Sequence, residues 1–305
     1  MTLHAAFPRV GLDWAFQRYE TLRARLPQAG FPAAPRMVAD LSEVFERFDA
    51  FVLDAFGVLN IGETAIDGAV ERVAQMRDLG KRVVVLTNGA SYPRETALAK
   101  YARLGFDFTA DEVVASRDLA GEALAGRGGL WAAITAPGAS FDDLPARVEA
   151  LEGDAALLRH ADGFLFLGSE GWTPERQAAL EAALCAKPRP VLVANPDIVA
   201  PREDGLTLEP GHFAHDLPGH DGPLAPAFYG KPFGGAFGAA LARLGDVPRE
   251  RVAMVGDTLH TDVLGGRAAG LGTVLIARHG LFCGVDPAVY IARSGIVPDI
   301  IATTT

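Results

Sequence analysis

AFVLDAFGVLN, residues 50–60, is the stretch from which the rest of the chain can be read. Its first part, AFVLD (50–54), is apolar without alternation, as expected of a strand covered on both faces, and it ends on a carboxylate. Downstream, Ala69 to Leu79 places Val70, Val73, Met76 and Leu79 on one helical face, with Gly80 as the stop. RVVVLTN (82–88) is a second buried-type strand, and Pro93 opens a helix, PRETALAKYARLG, that stops at Gly105. Strand and helix alternating in this way imply right-handed crossovers and a parallel sheet. The pattern returns late in the chain, with a helix from about Gly234 to Leu244, the strand RVAMVGD (251–257), a helix from about Thr261 to Ala269 and the strand GTVLIA (272–277).

Between these blocks lies a second set of units. LWAAIT, DGFLFLG (162–168) and RPVLVAN (189–195) are apolar runs, and TPERQAALEAALCA is a helix capped by Thr173 with Pro174 in its first turn. The stretch 197–222 is rich in Gly, Pro, His and Asp and reads as loop, so His212, His215 and His220 are expected to be solvated. Upstream of residue 48 the sequence looks helical but broken, and LSEVFERF suggests a short helix capped by Ser42. Trp172 and Phe164 read as core.

Composition sets outer limits. The 305 residues are 49% hydrophobic and 22% charged, sufficient for roughly two domains of about 150 residues. Lys and Arg number 28 against 38 Asp and Glu, a net charge of −10. So acidic a chain lacks the phosphate-neutralising surface that nucleic-acid binding needs, and no nucleic-acid partner is expected. No apolar run reaches the about 18 residues of a membrane span. The opening residues show no basic segment followed by an apolar one, so a cytoplasmic protein is expected. Cys185 and Cys283 form no CxxC and have no nearby His pair. They are expected to be buried thiols rather than a disulfide or a zinc site.

In open parallel sheets ligands bind outside the carboxyl ends of the strands. The residues to weigh are therefore Asp54, Thr87 and Asn88, Lys231 just past a strand, and Asp257. Asp262 follows five residues after Asp257. Three clustered carboxylates repel one another unless cations share the site. Lys231 is one candidate cation, and Mg²⁺, which favours oxygen ligands, is the other. Thr87 and Asn88 add neutral donors suited to oxyanions. Lys231 is not a P-loop lysine, because no Gly stands five residues before Gly230 and no Ser or Thr follows it.

Four segments in order, LDAFGVLN (53–60), VLTNGAS (85–91), YGKP (229–232) and VGDTLHTD (255–262), together with VANPD at 193–197, resemble the haloacid dehalogenase (HAD) superfamily. The closer resemblance is to its NagD-like, p-nitrophenylphosphatase-like branch, class IIA. It covers about residues 48–280. It implies an α/β fold: a Rossmann-like core with a parallel sheet, residues 48–127 and 226–305, interrupted by an inserted α/β cap at 128–225, after an N-terminal helical extension at 1–47. It further implies a phosphatase acting on a small phosphorylated metabolite, with sugar phosphates among the candidates, and it admits a homodimer.

Carried over by position, the resemblance makes Asp54 the nucleophile. Mg²⁺ would be held by Asp54, the main-chain carbonyl of Phe56 and Asp257, with Asp262 acting through water or by orienting Lys231. Thr87 and the amides of Asn88 and Gly89 would hold phosphate oxygens, and Lys231 would neutralise charge. One position departs from the family: the second Asp of the first motif, which protonates the leaving oxygen, is Phe56. Three readings follow from it: another acid, activated leaving groups, or a different reaction. The last includes a metal-independent dehalogenase-like hydrolase, because haloacid dehalogenases carry an aromatic residue there, and a weakly catalytic phospho-ligand-binding protein. Asp257 and Asp262 together favour phosphoryl chemistry, since a metal-free dehalogenase has no use for both.

Overall fold

A computed structural model describes residues 9–202, 205–219, 222 and 224–305, the side chain of Arg202 excepted. His220 and residues 1–8 of the expected extension lie outside the described residues. The chain divides into two compact units: residues 12–87, 94–115 and 231–305 form one, and residues 1–11, 88–93 and 116–230 the other. Among the described residues no helix is long and apolar enough to cross a membrane.

The first unit is built on a seven-stranded sheet. From edge to edge its strands are Arg36–Val38, Ile300–Ala302, Gly272–Ile276, Val252–Gly256, Ala50–Leu53, Arg82–Thr87 and Val113–Ala115. Every pairing in it is parallel. Ala50–Leu53, Val252–Gly256 and Gly272–Ile276 are buried at every residue, which is why their sequences show no alternation. The strand order reverses at Ala50–Leu53: the next strands in the chain continue to one side, and the strands from Val252 onward fill the other. That reversal opens a crevice at the carboxyl ends of Ala50–Leu53 and Val252–Gly256. Beneath it lies a core that includes Phe45, Phe48, Phe51, Val73, Met76, Val85, Val255 and Val274.

The second unit holds a five-stranded parallel sheet in the order Ala227–Phe228, Val191–Val193, Gly163–Phe166, Leu130–Ile134, Arg147–Ala150. The helix Pro174–Ala186 begins as expected, with Thr173 accepting a hydrogen bond from the Arg176 amide. Trp172 is buried, and its indole donates to Gln177 at 2.9 Å. Phe164 is fully buried.

Several expectations are corrected. Residues 12–47 are not a separate helical extension: Arg36–Val38 is the edge strand of the seven-stranded sheet. Three residues are too few to show a period in sequence. The other unit resumes at Ser116 rather than 128, because helix Ser116–Leu124 buries Ala120 and Leu124 against Trp131 and Ala133. LSEVFERF forms a single 3-10 turn, Leu41–Val44, and the cap is Asp40, whose Oδ1 accepts from the Ser42 amide at 2.7 Å. The stretch 197–222 is not plain loop. It contains the antiparallel pair Val199–Arg202 and Gly205–Leu208, whose alternating Leu206 and Leu208 are buried, and the helix Pro210–Ala214. His215 is buried and stacked on Phe228 at 4.4 Å rather than solvated. Cys185 and Cys283 are exposed free thiols. Cys185 falls off the face of its helix that buries Gln177, Leu180 and Leu184.

One ion pair with a buried arginine ties parts of the second unit together. Arg117 is fully buried and donates through Nε and Nη2 to Asp143 at 2.7 and 2.6 Å. Its remaining donors reach the carbonyls of Ala90 at 3.1 Å and Ser140 at 2.7 Å. Burial pushes the Asp143 carboxyl up, but the hydrogen bonds and charge of Arg117 hold it on balance below its ordinary value. Arg117→Ala should cost about 1–3 kcal/mol in urea unfolding, because it leaves the Ala90 and Ser140 carbonyls without their donor, and Arg117→Lys should not restore the bidentate contact. Because the folded pKa of Asp143 is depressed, the pair's contribution should be complete above the ordinary carboxylate range and fade as pH falls through it.

Candidate active site

The seven-stranded sheet delivers its chemistry through register. Leu53 pairs with Val255 on one side and Val85 on the other. The Asp54 amide donates to the Val255 carbonyl at 2.8 Å, extending that pairing by one residue. Asp54 and Asp257 therefore emerge side by side at the carboxyl ends of adjacent strands, and Thr87 ends the strand on the far side of Asp54. Asp54, Asp257 and Asp262 each offer a carboxylate oxygen within 4.8 Å of the others.

Lys231 closes the group. It is 2% exposed, and its Nζ lies 2.6 Å from Asp54 Oδ1 and 2.8 Å from Asp262 Oδ1. The short strand before it, Ala227–Phe228, belongs to the five-stranded sheet. Lys231 thus follows a strand as expected, but not one of the sheet that carries the aspartates. The other Asp262 oxygen accepts from the Thr258 amide at 3.0 Å. Asp54 Oδ1 also accepts from the Ala55 amide at 2.7 Å. Among the described residues no donor takes Asp54 Oδ2. Phe56 is half-buried in the turn that follows, where the Gly57 amide donates to the Asn60 carbonyl at 2.9 Å.

Glycines make the room these carboxylates need. A Cβ on Gly256 would fall on the carboxylate of Asp262, and one on Gly280 on that of Asp257. Gly57 faces Asp257 from the other side, where a Cβ would sit 2.7 Å from it. Gly57 and Gly280 also have φ of 77° and 70°, in the region side-chain-bearing residues avoid. Asp257 is held between them, accepting from the Thr258 hydroxyl at 2.9 Å and the Leu281 amide at 2.7 Å. The contribution of Gly280 and Leu281 is absent from the sequence reading. The one signal for it is a His-Gly pair soon after the strand Gly272–Ile276.

Expected phosphate donors sort themselves by unit. Thr87, half-exposed, stands with the aspartates in the first unit. Asn88 and Gly89 belong to the second. There the Asn88 amide nitrogen donates to Asp197 of the NPD segment at 2.8 Å, so its side chain is occupied in that contact.

The electrostatics are those of a site short of positive charge. Burial pushes the Asp54 carboxyl up, Lys231 pulls it back and Asp262 pushes again, leaving it at about 6. Asp257 is driven well above the carboxylate range by burial and then by the charges of Asp54 and Asp262. Burial also pushes up the phenol of nearby Tyr101, and the negative charge of Asp54 adds to the effect. The donor set is entirely hard oxygen, without His or Cys, and each oxygen of Asp257 keeps a lone pair beyond its one hydrogen bond. Such a set fits a hard divalent cation.

A raised folded pKa gives stability that is complete below the ordinary carboxylate range and is lost as pH rises through about 6 for Asp54. In protein stripped of metal, Asp54→Asn should therefore melt a few degrees above wild type at pH 7.5, and the difference should shrink towards pH 5. Differential scanning calorimetry across that range checks it. Gly256→Ala, by contrast, should destabilise by about 1–3 kcal/mol, because the added methyl meets the Asp262 carboxylate.

The chain is similar to several known proteins. A sequence model of haloacid dehalogenase-like hydrolases matches residues 51–140, and a HAD-hydrolase-like model matches residues 228–288. A D-glycerol 3-phosphate phosphatase from Mycobacterium tuberculosis is 31% identical over 247 residues. The match takes in 77% of this chain but 65% of that protein, just under two thirds of its length. A possible sugar phosphatase of the HAD superfamily from Cytophaga hutchinsonii shares the fold, with a TM-score of 0.74 at 24% identity over 90% of this chain and 98% of its own. A glycerol phosphate phosphatase from M. tuberculosis, solved in complex with calcium, superposes with a TM-score of 0.64 at 26% identity, covering 86% of this chain and 74% of that one.

Proposed function

Since the chain belongs to the haloacid dehalogenase-like hydrolases, we propose that it is a Mg²⁺-dependent phosphatase of a small phosphorylated metabolite, of the sugar-phosphate or glycerol-phosphate kind. The observation that carries this reading is the buried Lys231 ammonium, 2.6 Å from Asp54 and 2.8 Å from Asp262, with Asp257 completing three carboxylates within 4.8 Å. Three carboxylates against one ammonium leave two negative charges uncompensated before a phosphate dianion arrives. A site that binds an anion there needs a further cation, and the oxygen donors present suit one. The name of the M. tuberculosis relative and the calcium in the glycerol phosphate phosphatase structure support the substrate class and a divalent ion.

In this reading Asp54, the carbonyl of Phe56 and Asp257 would hold Mg²⁺, with Asp262 acting through water or by orienting Lys231. When bound, the ion supplies positive charge to the phosphate oxygens and the carboxylates. Asp54 attacks phosphorus through Oδ2, which accepts from no donor among the described residues. The P–O bond to the alcohol breaks, and an aspartyl-phosphate forms. Water then hydrolyses that acyl phosphate and returns the carboxylate. Lys231 keeps Oδ1 fixed so that the free oxygen faces the phosphate, and it offsets charge as the group transfers. Thr87 and the amides of Asn88 and Gly89, next in the chain, are assigned to the phosphate oxygens. Phe56 provides no proton for the leaving alcohol, which favours leaving groups that tolerate departing as anions or that bring their own acid.

Hydrolysis of p-nitrophenyl phosphate and of a panel of polyol and sugar phosphates should require Mg²⁺ and stop in EDTA. Turnover that survives chelation would instead support metal-free, dehalogenase-like hydrolysis. Asp54→Asn should abolish turnover, with release of inorganic phosphate as the readout. Phe56→Asp should raise rates on alkyl phosphates by about 10²-fold or more while changing p-nitrophenyl phosphate little, because a general acid matters most for the poorer leaving group.

A further inference from the structure

The N-terminal helix Leu12–Thr21 lies outside both family-matched segments, yet it packs on the turn that carries Asp262. That turn, Leu259–Val263, is a π-helical step leading into helix Leu264–Ala268, a geometry that recurs at functional sites. His260 within it is 2% exposed. Its Nε2 lies 2.6 Å from Glu20 Oε1, its ring stacks on Tyr19 at 4.7 Å and 8°, and Phe16 meets its edge at 5.6 Å. Burial pulls the imidazole pKa down while Glu20 pushes it up, and Nε2–H donates to the Glu20 carboxylate.

The same helix reaches the other wall of the site. Phe16 packs edge-on against Tyr290 at 5.1 Å, and Tyr290 packs on Phe282 at 5.5 Å. Phe282 follows Leu281, whose amide donates to Asp257. Asp13 fixes the outer end of the helix, 2.9 Å from Arg293 and 3.2 Å from the Tyr290 hydroxyl.

We infer that Glu20 and His260 are positioning residues: their hydrogen bond sets the Thr258–Asp262 turn, and through it the placement of Asp262 against Lys231. The path is continuous. Glu20 holds His260, His260 holds the turn, the Thr258 amide in that turn holds Asp262 Oδ2, and Asp262 Oδ1 holds the ammonium that also touches Asp54. Neither residue touches the reacting atoms. Outer partners of this kind orient the groups that do, and losing one typically costs about 10- to 100-fold in metal affinity or activity. The inference rests on the metal-dependent phosphatase reading of the same site.

The test compares Glu20→Ala, Glu20→Gln, His260→Phe and, as a stability control on the same helix, Asp13→Ala, all in the full chain. Glutamine keeps an acceptor for Nε2–H, and phenylalanine keeps the stack on Tyr19 while deleting the bond, so each retains most of the packing. Mg²⁺ binding is measured by calorimetry without substrate, amide exchange of residues 258–263 in metal-free protein, and kcat and KM with p-nitrophenyl phosphate well below each variant's melting temperature. Glu20→Ala and His260→Phe should weaken Mg²⁺ binding on the order of 10-fold, speed exchange in the turn and lower kcat more than they raise KM. Glu20→Gln should stay close to wild type, and Asp13→Ala, which removes an exposed pair on the same helix, should leave the Mg²⁺ constant unchanged. Wild-type Mg²⁺ affinity in Glu20→Ala and His260→Phe, or an equal loss in Asp13→Ala, overturns the positioning role. Absence of Mg²⁺ binding by the wild type overturns the phosphatase reading itself, and this inference with it.

Discussion

A lysine ammonium held out of water between two carboxylates is the constraint around which the seven-stranded unit is arranged. Lys231 is 2% exposed and Asp262 1%, so neither charge has water to fall back on. A buried ion stays charged only while its partners are within hydrogen-bond reach, and removing one partner leaves the other uncompensated. The consequences spread outward. Asp54 must leave its strand beside Val255, which the strand register provides. Position 256 must lack a Cβ, or Asp262 could not occupy its place. The turn after Asp257 must deliver the Thr258 amide to Asp262, and a π-helical step does so where a regular helix would advance the side chains differently.

The aspartates are also overfilled with negative charge as they stand. Lys231 lies 2.6 Å from one oxygen of Asp54 and 2.8 Å from one of Asp262, whereas Asp257 accepts from a neutral hydroxyl and an amide. The rise in the carboxyl pKa values of Asp54 and Asp257 expresses that imbalance. A chain with ten excess negative charges can thus still be organised to receive an anion, provided positive charge is concentrated at one place rather than spread over its surface.

Much of this was legible in the chain, for identifiable reasons. Strands buried on both faces carry unbroken apolar runs, so Ala50–Leu53, Arg82–Thr87, Val252–Gly256 and Gly272–Ile276 announced themselves, and so did the carboxylates and threonine at their ends. What escaped lacked a local signal. Arg36–Val38, Val113–Ala115 and Ile300–Ala302 are three residues each, and only pairing defines them. His215 looked solvated because its neighbours are loop-forming types, although it stacks on Phe228 of the strand Ala227–Phe228, which only the sheet places beside it. Glu20 and His260 are separated by 240 positions, and no periodicity links them. The Leu281 amide that holds Asp257 is a backbone donor, and a backbone donor leaves no trace in residue type.

The departure at Phe56 is clarified by separating main chain from side chain. The turn after Asp54 is fixed by backbone bonds: the Gly57 amide to the Asn60 carbonyl at 2.9 Å, and the Leu59 and Asn60 amides to the Ala55 carbonyl at 2.8 and 3.1 Å. None of them uses the side chain at position 56. Gly57, with its φ of 77°, sets the bend and leaves space for Asp257 whichever residue precedes it. The residue type at position 56 can therefore vary without disturbing the main-chain path that aims Asp54. A substitution that broke the turn would have changed the whole site. A phenylalanine there offers no proton to a leaving oxygen, so in the phosphatase reading proposed above the leaving group departs without an acid from position 56.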